Sequence, residues 1–190
     1  MIAGVFFAVV GASGVGKDTV LSGARDRLAG NRAFLFPQRY ITRPEDAGGE
    51  DHLALSEACF RQMQNSGGFC LSWSAHRLHY GLSRDLIAHL QNGCYLVCNI
   101  SRTSIGDAKS VFERLEVIEI TANHNTVADR LKSRGRESAA DVAVRQARQV
   151  ADWRNGHGVH TVRNDGAAQD AVSAMTGLLL RLSAQSVQSA

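Results

Sequence analysis

The sequence predicts an α/β fold: a central five-stranded parallel sheet wrapped by helices. Apolar runs of strand length, such as residues 2–10 and 94–100, are continuous rather than alternating, the pattern of strands buried on both faces of a parallel sheet. Helical segments of ten or more residues separate most of these runs, so neighbouring strands can be joined by crossovers. The first run also passes directly into a glycine-rich turn, residues 11–17, which opens a helix.

Residues 2–10 are rich in β-branched and aromatic side chains, and 19–28 carry helical periodicity, with Gly30 as a stop. Residues 34–42 are predicted as the second strand, ended by Arg43-Pro44, because proline disfavours helix in the residue before it. A charged, glycine-rich loop fills 45–50. A short helix is expected from Ser56, then two short strands around a turn at 69–73 and 78–82. A helix over 83–91 has Ser83 as its cap and closes at Asn92-Gly93. Residues 94–100 and 117–121 are two more buried strands, and 125–153 hold two helical stretches broken at Gly135. A last strand spans 159–163 and a last helix 167–182, and the small, polar tail from Ser183 is expected to fray. One domain over 1–185 is expected, with 186–190 as a disordered tail.

At 190 residues the chain suits one full core. Hydrophobic residues make up 44% and charged residues 21%, and only two prolines occur, which argues against a disordered chain. The net charge of +3 comes without a lysine/arginine-rich run, so nucleic acid is not an expected partner. Cys59, Cys70, Cys94 and Cys98 form no Cys-x-x-Cys pair, and reduced cysteines packed in a cytoplasmic protein are expected. The opening apolar run lacks a basic leader and meets a glycine loop instead of a cleavage site, so it is read as a strand and not a signal segment. No run approaches the roughly 20 apolar residues of a membrane helix, so no membrane partner is expected.

Gly11-Ala12-Ser13-Gly14-Val15-Gly16-Lys17 fits G-x-x-x-x-G-K in its required context, between a buried strand and a helix. The glycines let successive N–H groups point inward as an anion nest, and the helix N-terminus adds positive charge. Lys17 then reaches the β- and γ-phosphates of ATP as a catalytic residue. The ATP-binding set is therefore Gly11 through Thr19. After the lysine, where a metal-ligating serine or threonine is usual, stand Asp18 and Thr19. A carboxylate suits a hard cation, so Asp18 is a candidate Mg²⁺ residue, beside its reading as a first-turn helix carboxylate.

From Gly11 to about Asp165 the chain resembles the guanylate kinase branch of the nucleoside monophosphate kinases. The resemblance rests on the glycine loop, Thr42-Arg43-Pro44 with Gly49-Glu50, Phe69-x-x-x-Trp73, Tyr80-Gly81, Arg130-Leu-Lys-Ser-Arg134-Gly-Arg136, Arg145 and Asn164-Asp165. It implies a P-loop kinase core, a small acceptor-binding lobe over about 36–85 and an arginine-bearing lid over about 125–145. The departures fall where that family reads guanine. Ser72 stands for an acidic residue, Leu82 for a serine or threonine, Asn99 for an aspartate, and Asp51-His52 for an aspartate–tyrosine pair.

Arg39-Tyr40-Ile41-Thr42-Arg43-Pro44, Gly48-Gly49-Glu50 and Leu71-Ser72-Trp73 are similar to the ribose 1,5-bisphosphate phosphokinase family of bacterial phosphonate breakdown. That resemblance implies ATP-dependent phosphorylation of a sugar bisphosphate to 5-phosphoribosyl 1-diphosphate. Arg39 and Arg43, four apart on a predicted strand, would share one face and grip two phosphates. Glu50, Ser72 and Asn99 are candidates for the ribose hydroxyls, with Tyr80 in the same substrate set. Trp73 and Tyr80 also read as core of the small lobe. Among Arg130, Arg134, Arg136 and Arg145, the resemblance favours Arg134 and Arg145 as the catalytic pair closing over the transferring group. Two alternatives stay open: guanylate kinase or another nucleoside monophosphate kinase, and a non-catalytic guanylate-kinase-like interaction module. The expected partners are small molecules, a phosphorylated sugar and ATP.

Overall fold

The computed structural model describes residues 4–44, 51–133, 154 and 158–188. Five strands form an all-parallel sheet: β1 (Phe6–Val10), β2 (Phe34–Leu35), β7 (Tyr95–Asn99), β8 (Leu115–Thr121) and β9 (Val159–Arg163), in the order β2-β7-β1-β8-β9. This is the predicted architecture. Every residue of β1 is buried, and its period-2 alternation splits the core into two layers. Phe7 and Val9 pack with Val20 and Ala24 of α1 (Lys17–Leu28) and with Met175 and Leu179 of the last helix. Phe6, Ala8 and Val10 pack on the other face with Ile105 and Ala108 of α4 (Ile105–Val111) and with Phe112. Phe6 stacks on Phe112 with ring centroids 4.0 Å apart.

A second, four-stranded sheet forms the lobe. It consists of β3 (Tyr40–Ile41), β4 (Leu53–Ala54), β5 (Phe69–Ala75) and β6 (Leu78–Ser83), in the order β4-β3-β6-β5. The helix α2 (Glu57–Asn65) is capped by Ser56, whose hydroxyl accepts from the Cys59 N–H. Burial pushes the Cys70 thiol on β5 up to about 11, with Sγ donating to the carbonyls of Leu82 and Ser83. The single strand predicted over 34–42 does not form. It is divided between the two sheets as β2 and β3, with Pro37 in the connection, where its missing N–H cannot serve a ladder. Arg39 precedes β3 and Arg43 follows it, in a bend. The two arginines therefore do not share one strand face.

The helix predicted from Ser83 begins later, as α3 (Leu86–Gln91). Ser83 ends β6 instead, and its hydroxyl accepts from the Asp85 N–H. The last helix, α6 (Ala168–Gln188), runs past the expected end at residue 182. Two core side chains hold that extension: the Tyr95 hydroxyl donates to the Ser183 carbonyl at 3.1 Å, and Arg114 donates to the Ser186 carbonyl at 3.2 Å. Ser183 and Ser186 are buried, and their hydroxyls donate back to helix carbonyls, so a polar composition did not mean a frayed end. Among the described residues, no helix is long and apolar enough to cross a membrane.

Candidate active site

The glycine loop leaves the C-terminal end of β1, at the centre of the sheet, and runs into α1 at Lys17. A Cβ on Gly11 would lie 2.4 Å from the Ile120 carbonyl oxygen, so the loop can pass β8 only with glycine there. Gly16, at φ 89°, is left-handed, and a Cβ there would meet Asn164 Nδ2 at 2.5 Å. Beneath the loop, Val15 is buried and its carbonyl accepts from Asn164 Nδ2 at 2.8 Å and from Arg130 at 3.3 Å. Arg130, on α5 (His124–Ser133), also donates to the Asn164 carbonyl at 3.0 Å. It was a candidate to close over the transferring group, but it lies against the loop backbone and is not among the residues lining the cleft. Lys17 Nζ donates to the carbonyls of Gly11 and Ala12, both at 2.9 Å. The ammonium is thus folded back over its own loop.

The loop opens on a cleft of about 340 Å³. Its lining also includes Arg39, Trp73 and Tyr80 of the lobe, Asn99 at the end of β7 and the residues after it to Thr103. Trp73 and Tyr80 are cross-strand partners whose rings stack 5.4 Å apart at 6°. The Arg39 guanidinium lies 5.2 Å from the Tyr80 centroid and 6.0 Å from that of Trp73. It reaches from lobe to core, donating to the Asn99 carbonyl at 2.9 Å. Only 7% exposed, Arg39 is anchored by a cation–π contact and a hydrogen bond together. A second cavity of about 230 Å³ shares Asp18, Arg39 and Asn99 with the cleft, so these three stand between them.

Of the predicted loop residues, Gly11–Gly14 and Gly16–Asp18 line the cleft, whereas Val15 lies beneath the loop and Thr19 is exposed beyond the lining. Asp18 is solvent-exposed, in the first turn of α1. Arg43 is held elsewhere. His52 Nε2 donates to its carbonyl at 3.0 Å and Nδ1 accepts from its guanidinium at 3.3 Å, both satisfied by one neutral tautomer. Ser72 faces α2, where its hydroxyl accepts from Gln64 at 3.0 Å. The neighbouring face of β5 and β6 carries Leu71 and Leu82, both buried in the core. Glu50, Arg134, Arg136 and Arg145 lie outside the described residues.

One pair went unread in the sequence. Arg102, in a 3₁₀ turn (Arg102–Ser104), lines the cleft and donates to Glu119 at 2.9 Å. Glu119, on β8, is 2% exposed, and its other carboxylate oxygen accepts from Arg154. The signal was present: a lone carboxylate inside an otherwise apolar predicted strand. Buried charges of that kind require partners.

No family model matches the chain. Among proteins of known name, ribose 1,5-bisphosphate phosphokinase PhnN of Brucella melitensis is 41% identical over 163 residues, which cover 86% of this chain and 85% of that protein. The bifunctional ribose 1,5-bisphosphokinase-thymidine phosphorylase of Roseobacter denitrificans is 41% identical over 177 residues, 93% of this chain. The chain spans about a quarter of that longer relative, 26% of its length. Among solved structures, guanylate kinase from Anaplasma phagocytophilum aligns with a TM-score of 0.66 at 13% identity, covering 95% of this chain and 87% of that one, a likeness of fold. At 41% identity over 86% of its length, the chain belongs to the ribose 1,5-bisphosphate phosphokinase family.

Proposed function

We propose that the chain transfers the γ-phosphoryl group of ATP to ribose 1,5-bisphosphate, giving ADP and 5-phosphoribosyl 1-diphosphate. The observation that carries this reading is the cleft itself. A glycine loop and Lys17 meet a lobe whose inward face presents Arg39 over an aromatic pair. Of the two positions where guanylate kinases read the base, Ser72 is turned to Gln64 and Leu82 is an apolar core residue, and a small acceptor recognised through its phosphates suits such a surface.

In the reaction, an oxygen of the acceptor's C1 phosphate attacks the γ-phosphorus. The bond from that phosphorus to the β–γ bridging oxygen breaks, and ADP leaves with the electron pair. The acceptor phosphate is already ionised at neutral pH, with a second pKa of about 6, so no general base is required. Catalysis then reduces to alignment and charge neutralisation. Lys17 would exchange its two loop carbonyls for the β- and γ-phosphates, and the Gly11–Gly16 backbone would cradle them. Arg134 and Arg145, by resemblance, would close over the transferring group, and Glu50 and Asn99 would meet ribose hydroxyls.

Mg²⁺ fits this site through its protein carboxylate. It is ordinarily held by one or two carboxylates together with substrate phosphates, and Asp18 stands exposed where the two cavities adjoin. When bound, the ion would neutralise charge on the β- and γ-phosphates. Asp18→Ala is expected to raise the Mg²⁺ concentration for half-maximal rate several-fold, measured by magnesium titration at saturating ATP. An unmoved titration would make Asp18 a helix-dipole residue.

The reading is tested by an ADP-release assay with ribose 1,5-bisphosphate, GMP and AMP side by side. Ribose 1,5-bisphosphate is expected to give the highest kcat/KM, by at least about tenfold, or roughly 1.4 kcal/mol. Faster turnover of GMP would put a nucleotide kinase in its place.

A further inference from the structure

We propose that Arg102 binds the acceptor phosphate that receives the phosphoryl group, and that Glu119 is the positioning residue that aims it. The proposal deepens the function proposed above and rests on it for the identity of the acceptor.

Arg102 follows β7 by three residues and lines the same cleft as the phosphate loop. The strand it follows ends at Asn99, whose carbonyl holds Arg39 of the lobe. Arg102 is therefore carried by the segment that ties the core to the acceptor lobe, whereas Lys17 is carried by the loop that cradles the donor. Two anions must approach in this reaction, and Lys17 serves one of them. The other, an acceptor with two phosphates, requires cations of its own, and Arg102 adds one from the core side to Arg39 in the same cleft lining.

Glu119 explains how such a cation is held ready. It pairs in register with Val10, the last residue before the loop. Its strand neighbours Ile118 and Ile120 point into the α1 layer, while Val117, two residues away, packs in the layer of α4. Glu119 thus shares the face that meets the 3₁₀ turn, directly beside the loop. A carboxylate buried there costs several kcal/mol to desolvate, and apolar residues of similar size often serve stability equally well. Its hydrogen bond fixes the plane and direction of the Arg102 guanidinium before any ligand arrives, which lowers the ordering cost of binding. Arg154 takes the second carboxylate oxygen, so Glu119 is held from both sides.

The test uses the full chain, with Arg102→Ala, Arg102→Lys, Glu119→Gln and the double variant Arg102→Ala/Glu119→Gln, all checked for folding by circular dichroism. Acceptor kinetics are measured at saturating ATP, and ATP affinity separately by calorimetry. Arg102→Ala is expected to lower kcat/KM for the acceptor about ten- to a hundredfold, the effect of losing a charged hydrogen bond. The Kd for ATP should stay within about twofold, because the donor contacts are elsewhere. Arg102→Lys should recover part of the loss, and millimolar guanidinium should partly rescue Arg102→Ala. Glu119→Gln should show a smaller loss of the same kind, and the double variant should be no worse than Arg102→Ala alone, since Glu119 acts through Arg102. Loss of ATP affinity with acceptor kinetics intact would overturn the assignment, as would additive losses in the double variant. If wild-type protein prefers GMP, the function proposed above fails. The same variant ratios, measured with GMP, still decide the role of Arg102, because it reads a phosphate and not a base.

Discussion

Lys17→Ala is expected to lower kcat by about 10²–10³-fold or more, the scale for removing one preorganised charge-stabilising group at a transferring centre. The fold should survive. Lys17 Nζ bonds main-chain carbonyls of its own loop, at 2.9 Å to Gly11 and Ala12. The loop has separate support from Asn164 and Arg130 on the Val15 carbonyl. Thermal unfolding should therefore stay close to that of the wild type while turnover is lost. Retention of more than a few per cent of wild-type kcat would remove the glycine loop from the chemistry. A large fall in Tm would instead show that the lysine closes the loop structurally.

The core of this fold was legible because its signals are local and redundant. Continuous apolar strands, a glycine loop in its strand–helix context and crossover-length helices all point to one parallel sheet, and β1, β7, β8 and β9 formed where those runs lie. The lobe was less legible. Residues 34–42 hold two apolar pieces, 34–36 and 40–41, around Pro37-Gln38-Arg39, and β2 pairs with β7 in the core while β3 pairs with β6 in the lobe. That division depends on which distant strands are available, and no local periodicity records it. The same cause governs Arg39 and Arg43: four-residue spacing implies one face only if the strand is unbroken. The extended last helix was hidden for a related reason, since Tyr95 and Arg114, which hold its end, are about ninety and seventy residues away in sequence.

The site divided along the same line. The glycine loop could be read from seven consecutive residues, whereas Trp73 on Tyr80, Arg39 on Asn99 and Arg102 on Glu119 are meetings of remote segments. Ser72 shows how sharply strand alternation acts. It lies one residue from Trp73, but it turns to Gln64 on α2 while Trp73 turns to the cleft. Ser72 therefore does not line the cleft.

Replacing Arg39 is expected to damage acceptor use far more than replacing Arg43, although both are arginines of the same segment. Arg39 is buried in the cleft lining, with its guanidinium over Tyr80 and a 2.9 Å bond to the Asn99 carbonyl. Arg39→Ala should cost about 1.5–3 kcal/mol for each hydrogen bond to phosphate that it removes, a ten- to hundredfold fall in kcat/KM for ribose 1,5-bisphosphate. Arg39→Lys should recover only part, because an ammonium cannot reproduce the planar fork or its stacking on the aromatic pair. Arg43 is occupied by His52 and is not among the residues lining the cleft. Its loss should appear mainly as a lower Tm, by way of the buried His52 left without that donor, with the acceptor KM changed by less than about threefold, or roughly 0.7 kcal/mol. GMP should be a poor acceptor for the wild type and for both variants, since neither change places a hydrogen-bonding group at Leu82 or turns Ser72 away from Gln64. Acceptor kinetics and thermal unfolding on the two alanine variants decide the matter. A fall in kcat/KM for Arg43→Ala alongside an unchanged Arg39→Ala would mean that the acceptor's phosphates lie on the His52 side of the lobe.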